Sequence, residues 1–280
     1  TSENGGILKG YLNVNHSNMQ MNYLLEPGVK SPLELKADNV YGNFSYREML
    51  DKNWLLFAGV AYTFNRDAVN SNFNNTQTHT SGQARFTLSR SLSDMVKLKV
   101  GGEFYKSRYD EKYRTSAVQL GTLLNENFSA AFAETDLFIS KKIVGRVGGR
   151  MEYSRLLDRV NVAPRVSLAY LLGKKEQISL AFGQFYQTPE YDQMRAGVRD
   201  LTFENATHLM LNYQVIRNGY IFRVEGYQKW YDNLLKTDRL TELPANTGAG
   251  YARGVDVFFR DNKSVRNGDY WVSYSYLDTQ

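Results

Sequence analysis

Residues 54–64 read WLLFAGVAYTF, and their pattern is the clearest indication of fold class in the sequence. Alternate positions form two sets, and one set leads from Trp54 to Phe64 through apolar side chains. Because successive side chains of a β-strand point to opposite faces, this alternation predicts a strand. Trp54 and Phe64 are ten residues apart, which is about 33 Å along a strand and roughly 23 Å across a bilayer at a tilt of about 45°. That separation is typical of the two aromatic girdles of a transmembrane barrel.

The same two-residue period recurs along the whole chain. It is clear in the segments that begin near Val96, Ile143, Val166, Phe222 and Val255. We count about thirteen such segments of roughly 10 to 15 residues, whereas strands of globular sheets have about 5 or 6. A tilted strand needs roughly 9 to 11 residues to cross a bilayer. The sequence therefore predicts an all-β protein, an antiparallel up-and-down transmembrane β-barrel.

The connections between the segments are predicted to alternate in length. Long polar loops are expected at 17–39, 65–78, 107–127, 188–203 and 232–246, with an intermediate one at 156–161. Short or shorter turns are expected at 50–53, 92–95, 141–142, 173–176, 217–219 and 261–268. The turn at 217–219 contains an Asn-Gly pair, which primed hairpin turns favour. Short periplasmic turns and longer extracellular loops are typical of outer-membrane barrels.

Composition excludes several other classes of protein. The 280 residues include no cysteine, which rules out disulfide frameworks, zinc-thiolate sites and cysteine nucleophiles. The longest charge-free apolar stretch is 54–64, much shorter than the roughly 20 residues of a membrane-spanning helix. The net charge of +5 comes from dispersed Lys and Arg, which gives no indication of nucleic-acid binding. A large soluble sandwich is the alternative fold, but helix-free sheets of this size are uncommon in soluble proteins.

The ends of the chain suggest a piece of a larger barrel. No charged and apolar export signal follows Thr1, and the last apparent strand includes residues 274–280. An odd strand count also conflicts with the even count of single-chain bacterial barrels. Because an open edge would leave unpaired backbone groups in hydrocarbon, we expect the polypeptide to continue beyond Gln280.

Five segments of the second half carry a family resemblance. They are FGQFYQTPE (182–190), FRVEGYQKWYDNL (222–234), NTG (246–248), GYARGVD (250–256) and DYWVSYSYLDT (269–279). These segments resemble TonB-dependent outer-membrane receptors of the Bacteroidetes group, while the first half matches by pattern only. The resemblance implies a 22-stranded barrel with a plugged lumen. Residues 1–280 would then be one partial barrel domain, lacking the plug domain, the terminal strands and the segment that contacts TonB.

Nothing in the sequence indicates catalysis, a metal or a cofactor. The three histidines, His16, His79 and His208, show no metal-site spacing. His79 is expected in a polar loop and His208 on a lumen face, each solvated or hydrogen-bonded. An outer-membrane hydrolase would need a nucleophile, and no G-x-S-x-G motif occurs. The resemblance likewise implies a protein that is not an enzyme.

Two groups of residues are candidates for binding. Eight charged residues fall on polar strand faces: Arg146, Arg150, Glu152, Arg165, Arg223, Glu225, Lys229 and Asp256. They could contact a plug or line a substrate path, or simply reflect a wet lumen; their mixed signs favour a packed plug interface over a pore filter of one sign. The second group lies in predicted extracellular loops, either as ligand contacts or as plain solvated residues: Phe73, Tyr191, Met194, Arg195 and Arg199.

These observations lead to one functional hypothesis and two alternatives. The hypothesis is an outer-membrane receptor that takes up a scarce ligand, whether iron chelate, cobalamin, glycan or peptide, through a plugged barrel driven by TonB. One alternative is a passive or gated channel of about fourteen strands that needs no partner. The other is a structural or adhesive surface barrel. All three place the chain among outer-membrane lipids.

Overall fold

The computed structural model describes residues 5–26, 29–51, 53–191, 193–194, 200–237 and 243–280. These residues form thirteen strands in one antiparallel sheet, in which each strand pairs with its neighbours in sequence. The strands are β1 (Ile7–Glu26), β2 (Val29–Asp51), β3 (Trp54–Asn70), β4 (Asn74–Ser93), β5 (Val96–Arg114), β6 (Gln119–Phe138), β7 (Ile143–Ser154), β8 (Arg159–Gly173), β9 (Glu176–Gln187), β10 (Glu204–Arg217), β11 (Tyr220–Thr237), β12 (Pro244–Asp261) and β13 (Tyr270–Thr279).

Helices do not contribute to the described part of the chain. No helix there has the length and apolar character to cross a bilayer. The predictions of an all-β fold and of thirteen antiparallel strands are therefore confirmed. These predictions rested on alternating aromatic and β-branched side chains, which suit the pleated surface of a β-sheet.

The two faces of the sheet differ as the alternation predicts. On β3, Val60 and Tyr62 are 55% and 51% exposed, and they belong to the set that begins at Trp54. The opposite set includes Gly59, which pairs with Ser45 and Arg85 on the neighbouring strands. We call the first face outer and the second face inner. Most of the exposed large apolar side chains lie on the outer face, which is typical of a sheet whose outer face contacts lipid.

The predicted long loops are mostly wrong, because the strands continue through them. β1 and β2 pair from Ile7–Arg47 to Glu26–Val29, so 17–39 is strand except at its tip. Only 71–73 connect β3 to β4, 115–118 connect β5 to β6, and 238–243 connect β11 to β12, in place of 65–78, 107–127 and 232–246. The intermediate loop at 156–161 is a turn at 155–158. Strand lengths therefore reach 23 residues rather than 15.

Polar side chains explain these long strands. The backbone ladder needs no apolar residues, and polar groups pair across it beyond the apolar band. Asn70 Nδ2 donates to Glu34 Oε2 at 3.0 Å and Gln77 Nε2 donates to Glu111 Oε1 at 3.0 Å. Such cross-strand pairs stabilise a sheet in water. A polar strand end and a polar loop have the same composition, so composition alone did not separate them.

Other connections agree with their predictions. Residues 188–203 form the long connection between β9 and β10, with the predicted bounds. The turns at 52–53, 94–95, 139–142, 174–175 and 218–219 are all short. In the Asn218-Gly219 turn only the glycine has a positive φ, +103°, so it is not the primed turn with two positive φ angles. The connection at 262–269 is longer than five of the six connections at the opposite end, so the length alternation is incomplete.

We name the two ends of the sheet by these connections. The loop end contains the connections 27–28, 71–73, 115–118, 155–158, 188–203 and 238–243. The turn end contains 52–53, 94–95, 139–142, 174–175, 218–219 and 262–269. The sheet is curled, because Tyr191 of the β9–β10 connection reaches Tyr109 on β5 and His79 on β4. In the described residues, β1 and β13 do not pair with each other.

Candidate functional site on the inner face

All eight charged candidates lie on one continuous face. Directly opposed residues of antiparallel strands project to the same side, and the register connects the strands in turn. One such line crosses β7 to β11 through Gly148, Arg165, Gly183, His208 and Lys229. Tyr191 packs against the same face, which is therefore the inner, concave one. The register therefore places the eight charges on one face, and their role in contacting a plug or lining a substrate path stays a prediction.

In the inner face of β4–β8, which we call the braced wall, the charges pair with one another. Arg150 Nη2 lies 2.7 Å from Glu103 Oε2, and Arg150 Nε donates to Glu152. The Arg150 side chain is 17% exposed and the Glu152 side chain 9%. Arg85 approaches Glu103 from the next strand at 3.3 Å. One partly buried guanidinium thus holds carboxylates from β5 and β7 across the intervening strand β6.

Three further contacts belong to or adjoin this wall, and the first two lie toward its turn end. Arg146 donates to both oxygens of Asp136, at 2.5 and 3.2 Å. Lys99 Nζ lies 3.4 Å from Glu134 Oε2. Arg165 lies over the ring of Phe185, 4.5 Å from its centroid. Bidentate and stacked guanidinium contacts fix side-chain geometry more firmly than single ion pairs do.

The inner face of β10–β12, which we call the open wall, has the same residue types without the pairing. Glu225 stands directly opposite Asp256 and accepts a hydrogen bond from Asn212 at 3.2 Å. Lys229 lies over the Tyr227 ring at 5.1 Å. Within the described part of the chain, Arg223, Glu225, Lys229 and Asp256 form no ion pair. Their charges are thus left for water or for another group in the lumen.

Tyr191 and Met194 of the β9–β10 connection are packed against the protein. The Tyr191 ring stacks on Tyr109 with centroids 5.7 Å apart and meets His79 edge-on at 5.6 Å. Burial raises the pKa of the Tyr191 hydroxyl. Met194 is only 5% exposed. In this conformation two of the predicted loop candidates are packing contacts with the protein itself.

The other loop candidates differ from these two. Phe73 lies at the tip of the β3–β4 hairpin, with its ring 5.7 Å from that of Tyr113. Arg195 and Arg199 lie outside the described residues. The structure therefore does not gather the five candidates into one site, and their role as ligand contacts stays a prediction.

Several inner-face residues were missed by the sequence reasoning. His79 Nε2 lies 2.9 Å from Ser107 Oγ, below the Tyr191 ring. Glu126 is 2% exposed and accepts hydrogen bonds from Ser154 Oγ at 2.5 Å and the Leu156 amide at 3.2 Å. Ser107 and Glu126 lie inside 107–127, the segment that was assigned to a loop, so their positions on strands were not recognised.

An open cavity of about 660 Å³ lies on the inner face between β2–β6 and the end of β9. Its lining mixes rings such as Tyr41 and Phe57 with polar groups such as Gln83 and Glu103. A volume of this size suits a small ligand or a folded-in loop. Among the described residues, no three His, Asp or Glu side chains are placed to hold a metal ion.

A family model described as "TonB dependent receptor-like, beta-barrel" matches residues 4–280. This chain belongs to the TonB-dependent receptor family. The prediction of the family is therefore confirmed, as are the location in the bacterial outer membrane and the absence of enzymatic function, since the family consists of receptors. In outer-membrane barrels the turn end faces the periplasm and the loop end faces outward.

Solved structures of receptor barrels share this fold. The alcaligin outer membrane receptor FauA from Bordetella pertussis is 12% identical, with a TM-score of 0.75 over 98% of this chain and 50% of that one. The outer membrane transporter YddB from Escherichia coli is 12% identical, with a TM-score of 0.78 over 97% and 46%. The RagAB peptide transporter is 12% identical, with a TM-score of 0.64 over 89% and 37%. No curated protein matches the sequence.

The present chain thus spans about half the length of the first two receptors. The identities support a common fold and no more. The soluble-sandwich alternative is excluded by the family membership.

Proposed function

We propose that the receptor containing this chain imports a scarce extracellular nutrient through a plugged barrel, with energy supplied by TonB. The observation that carries the proposal is the open wall. Four charges of both signs face the lumen there without ion-pair partners among the described residues. The charges of the braced wall already pair with one another, so that wall would form fewer ion pairs with a plug.

A plug explains this pattern better than a free pore does. Ion-selective pores use rings of one sign, whereas the open wall presents Arg223 and Lys229 beside Glu225 and Asp256. A folded domain with mixed surface charge can complement such a wall. Complementary charges across an interface fix its register and can be separated when a partner pulls.

The nutrient is proposed by class only: an iron chelate, cobalamin, a glycan or a peptide. The FyuA structure is that of a ferric yersiniabactin uptake receptor, and RagAB is a peptide transporter. Both statements concern those proteins. The aromatic and polar lining of the inner cavity suits any ligand that combines rings with hydrogen-bonding groups.

The first test is the intact mass of the native protein, recovered from outer membranes of the producing organism. The proposal expects at least about twice the 32.1 kDa of this chain, because a plug and further strands are required. A mass that exceeds 32.1 kDa by only one further strand would instead identify a self-contained channel of about fourteen strands.

A second test separates import from surface adhesion. Deletion of the gene should leave attachment to surfaces unchanged and should slow growth when the imported nutrient limits growth. Chelated iron, cobalamin, an oligosaccharide and a peptide mixture are supplied in turn as the limiting source. Normal growth on all four, together with lost attachment, would favour the structural barrel.

A further inference from the structure

The two ends of the sheet differ in charge. The six connections at the turn end contain seven Lys or Arg and two acidic residues, a net charge of +5. The six connections at the loop end contain four Arg and six acidic residues, a net charge of −2. The periplasmic end of the barrel is therefore the basic one.

Six of these cations form what we call the basic rim. They are Lys141, Lys142, Lys174, Lys175, Lys263 and Arg266, and all six are exposed. None of them forms an ion pair with another described residue. The nearby acidic groups are already engaged: Arg260 donates to Asp269 at 2.5 and 3.0 Å, and Arg217 pairs with Glu176.

Backbone hydrogen bonds join neighbouring turns into one continuous surface. The Leu171 amide donates to the Lys142 carbonyl at 2.8 Å, and the Ile216 amide donates to the Lys175 carbonyl at 2.9 Å. Lys175 Nζ donates to Asn218 Oδ1 at 3.4 Å. Lys263 lies directly over Gly219, where an added Cβ would be only 2.5 Å from the Cβ of Lys263.

Spacing allows these cations to act together. Strands lie about 4.8 Å apart, so successive turns at this end are about 10 Å apart. The Debye length at 0.1 M salt is also about 10 Å. An anion held at one turn therefore still interacts with the lysines of the next.

A chain of aromatic rings lies beside the rim on the outer face. Tyr220 and Phe259 have centroids 6.4 Å apart, and Phe259 and Tyr270 have centroids 6.2 Å apart. Tyr213 and Phe222 continue the belt at 6.4 Å. Such rings mark the level of lipid headgroups, so the rim lies at headgroup height. Lysine side chains are long enough to reach back toward that level.

We propose that the basic rim binds the phosphate groups of anionic phospholipids in the periplasmic leaflet. The aromatic belt holds the barrel at the depth at which the rim meets those phosphates. A lipid is a better occupant than an acidic protein because the rim and the belt lie at the same end of the sheet, at the edge of the apolar band. This lipid binding sets the depth of the barrel in the membrane, and it does not depend on which nutrient the receptor imports.

The test uses the intact receptor in nanodiscs that contain equal amounts of phosphatidylglycerol and phosphatidylethanolamine. Native mass spectrometry measures the ratio of the two lipids that stay bound. The wild type should retain phosphatidylglycerol about fivefold over the bulk ratio, and 0.5 M NaCl should reduce that preference. The variant K141Q/K142Q/K174Q/K175Q removes four cations of the basic rim. It should retain the two lipids in the bulk ratio.

A matched variant removes four lysines from the loop-end halves of β2 and β5: K30Q/K36Q/K106Q/K112Q. It should retain the wild-type preference, and heat-modifiable gel mobility should show that both variants are folded. A wild-type ratio equal to the bulk ratio would overturn the proposal, as would an equal loss in both variants. Unchanged lipid retention with loss of a co-purifying acidic periplasmic protein would overturn it in favour of that protein.

Discussion

The braced wall and the open wall belong to the same inner face and carry the same kinds of charge, but they are built from different strands, β4–β8 and β10–β12. Arg150 in the braced wall contacts Glu103 and Glu152. In the open wall, Glu225 faces Asp256 and neither reaches a described cation. The charges of an inner face can therefore pair with one another, or they can remain unpaired and available to a partner. Only the second kind of wall indicates where another domain would contact the barrel.

The largest predicted effect on stability comes from breaking the braced wall. Replacing Arg150 with Met leaves Glu152 without a cation and leaves Arg85 as the remaining cation beside Glu103. Removing one member of a buried ion pair costs about 3 kcal/mol. Urea unfolding of the native receptor in detergent micelles measures the change in the free energy of unfolding.

Arg223→Met is the matched control in the open wall. Arg223 is exposed and has no described ion-pair partner. Its replacement should therefore change the free energy of unfolding of the barrel by no more than about 0.5 kcal/mol. Equal losses for Arg150→Met and Arg223→Met would remove the distinction between the two walls.

A smaller effect is predicted for Tyr191 of the β9–β10 connection, which packs on the braced side of the lumen. Tyr191→Ala removes the stack on Tyr109 and the edge contact with His79, worth about 1 kcal/mol. Trypsin should then cleave within 188–203 roughly fivefold faster, because that energy is about a factor of five in the open population. Tyr191→Phe keeps the ring and should behave as the wild type; unchanged cleavage of the alanine variant would show that the ring does not hold the loop.

The smallest effect is predicted for Glu34, which has several partners but lies in the water-exposed extension of β2. Hydrogen bonds from Lys36 first, then from Gln20 and Asn70, lower its pKa to about 2. A depressed carboxyl pKa stabilises the fold above the ordinary value of 4.5, and that contribution is lost as the pH falls toward about 2.

Glu34→Gln should therefore lower the unfolding midpoint at pH 7 by much less than Arg150→Met does, because solvent screens the contacts of Glu34. Its difference from the wild type should vanish as the pH falls from about 4.5 to about 2. Unfolding midpoints of wild type and variant over this pH range provide the measurement. A loss at pH 7 as large as that of Arg150→Met would mean that the number of partners, rather than burial, sets the cost in this sheet.

The sequence predicted those features that depend on a two-residue period. The number of strands, the outer position of Trp54 and the common face of Arg150 and Asp256 all follow from alternation alone. The strand ends were wrong because Glu34 and Asn70 belong to polar ladders that alternation of apolar residues does not reveal.

The contacts between side chains of distant strands could not be predicted from the sequence, for a different reason. Arg150 reaches Glu103, 47 residues away, only because the register of β5, β6 and β7 brings them together. The contact between Tyr191 and Tyr109 needs both the curl of the sheet and the path of a loop. Neither is encoded in local spacing.

If the open wall contacts a plug that closes the barrel, as we propose, removing its charges should open a path for ions. Planar-bilayer conductance of the native receptor measures this, with the wild type beside the triple variant R223M/E225Q/D256N. We expect a closed wild type and frequent ion-conducting openings in the variant, with unchanged heat-modifiable mobility. A wild type that conducts steadily, or a triple variant that stays as closed as the wild type, would contradict it.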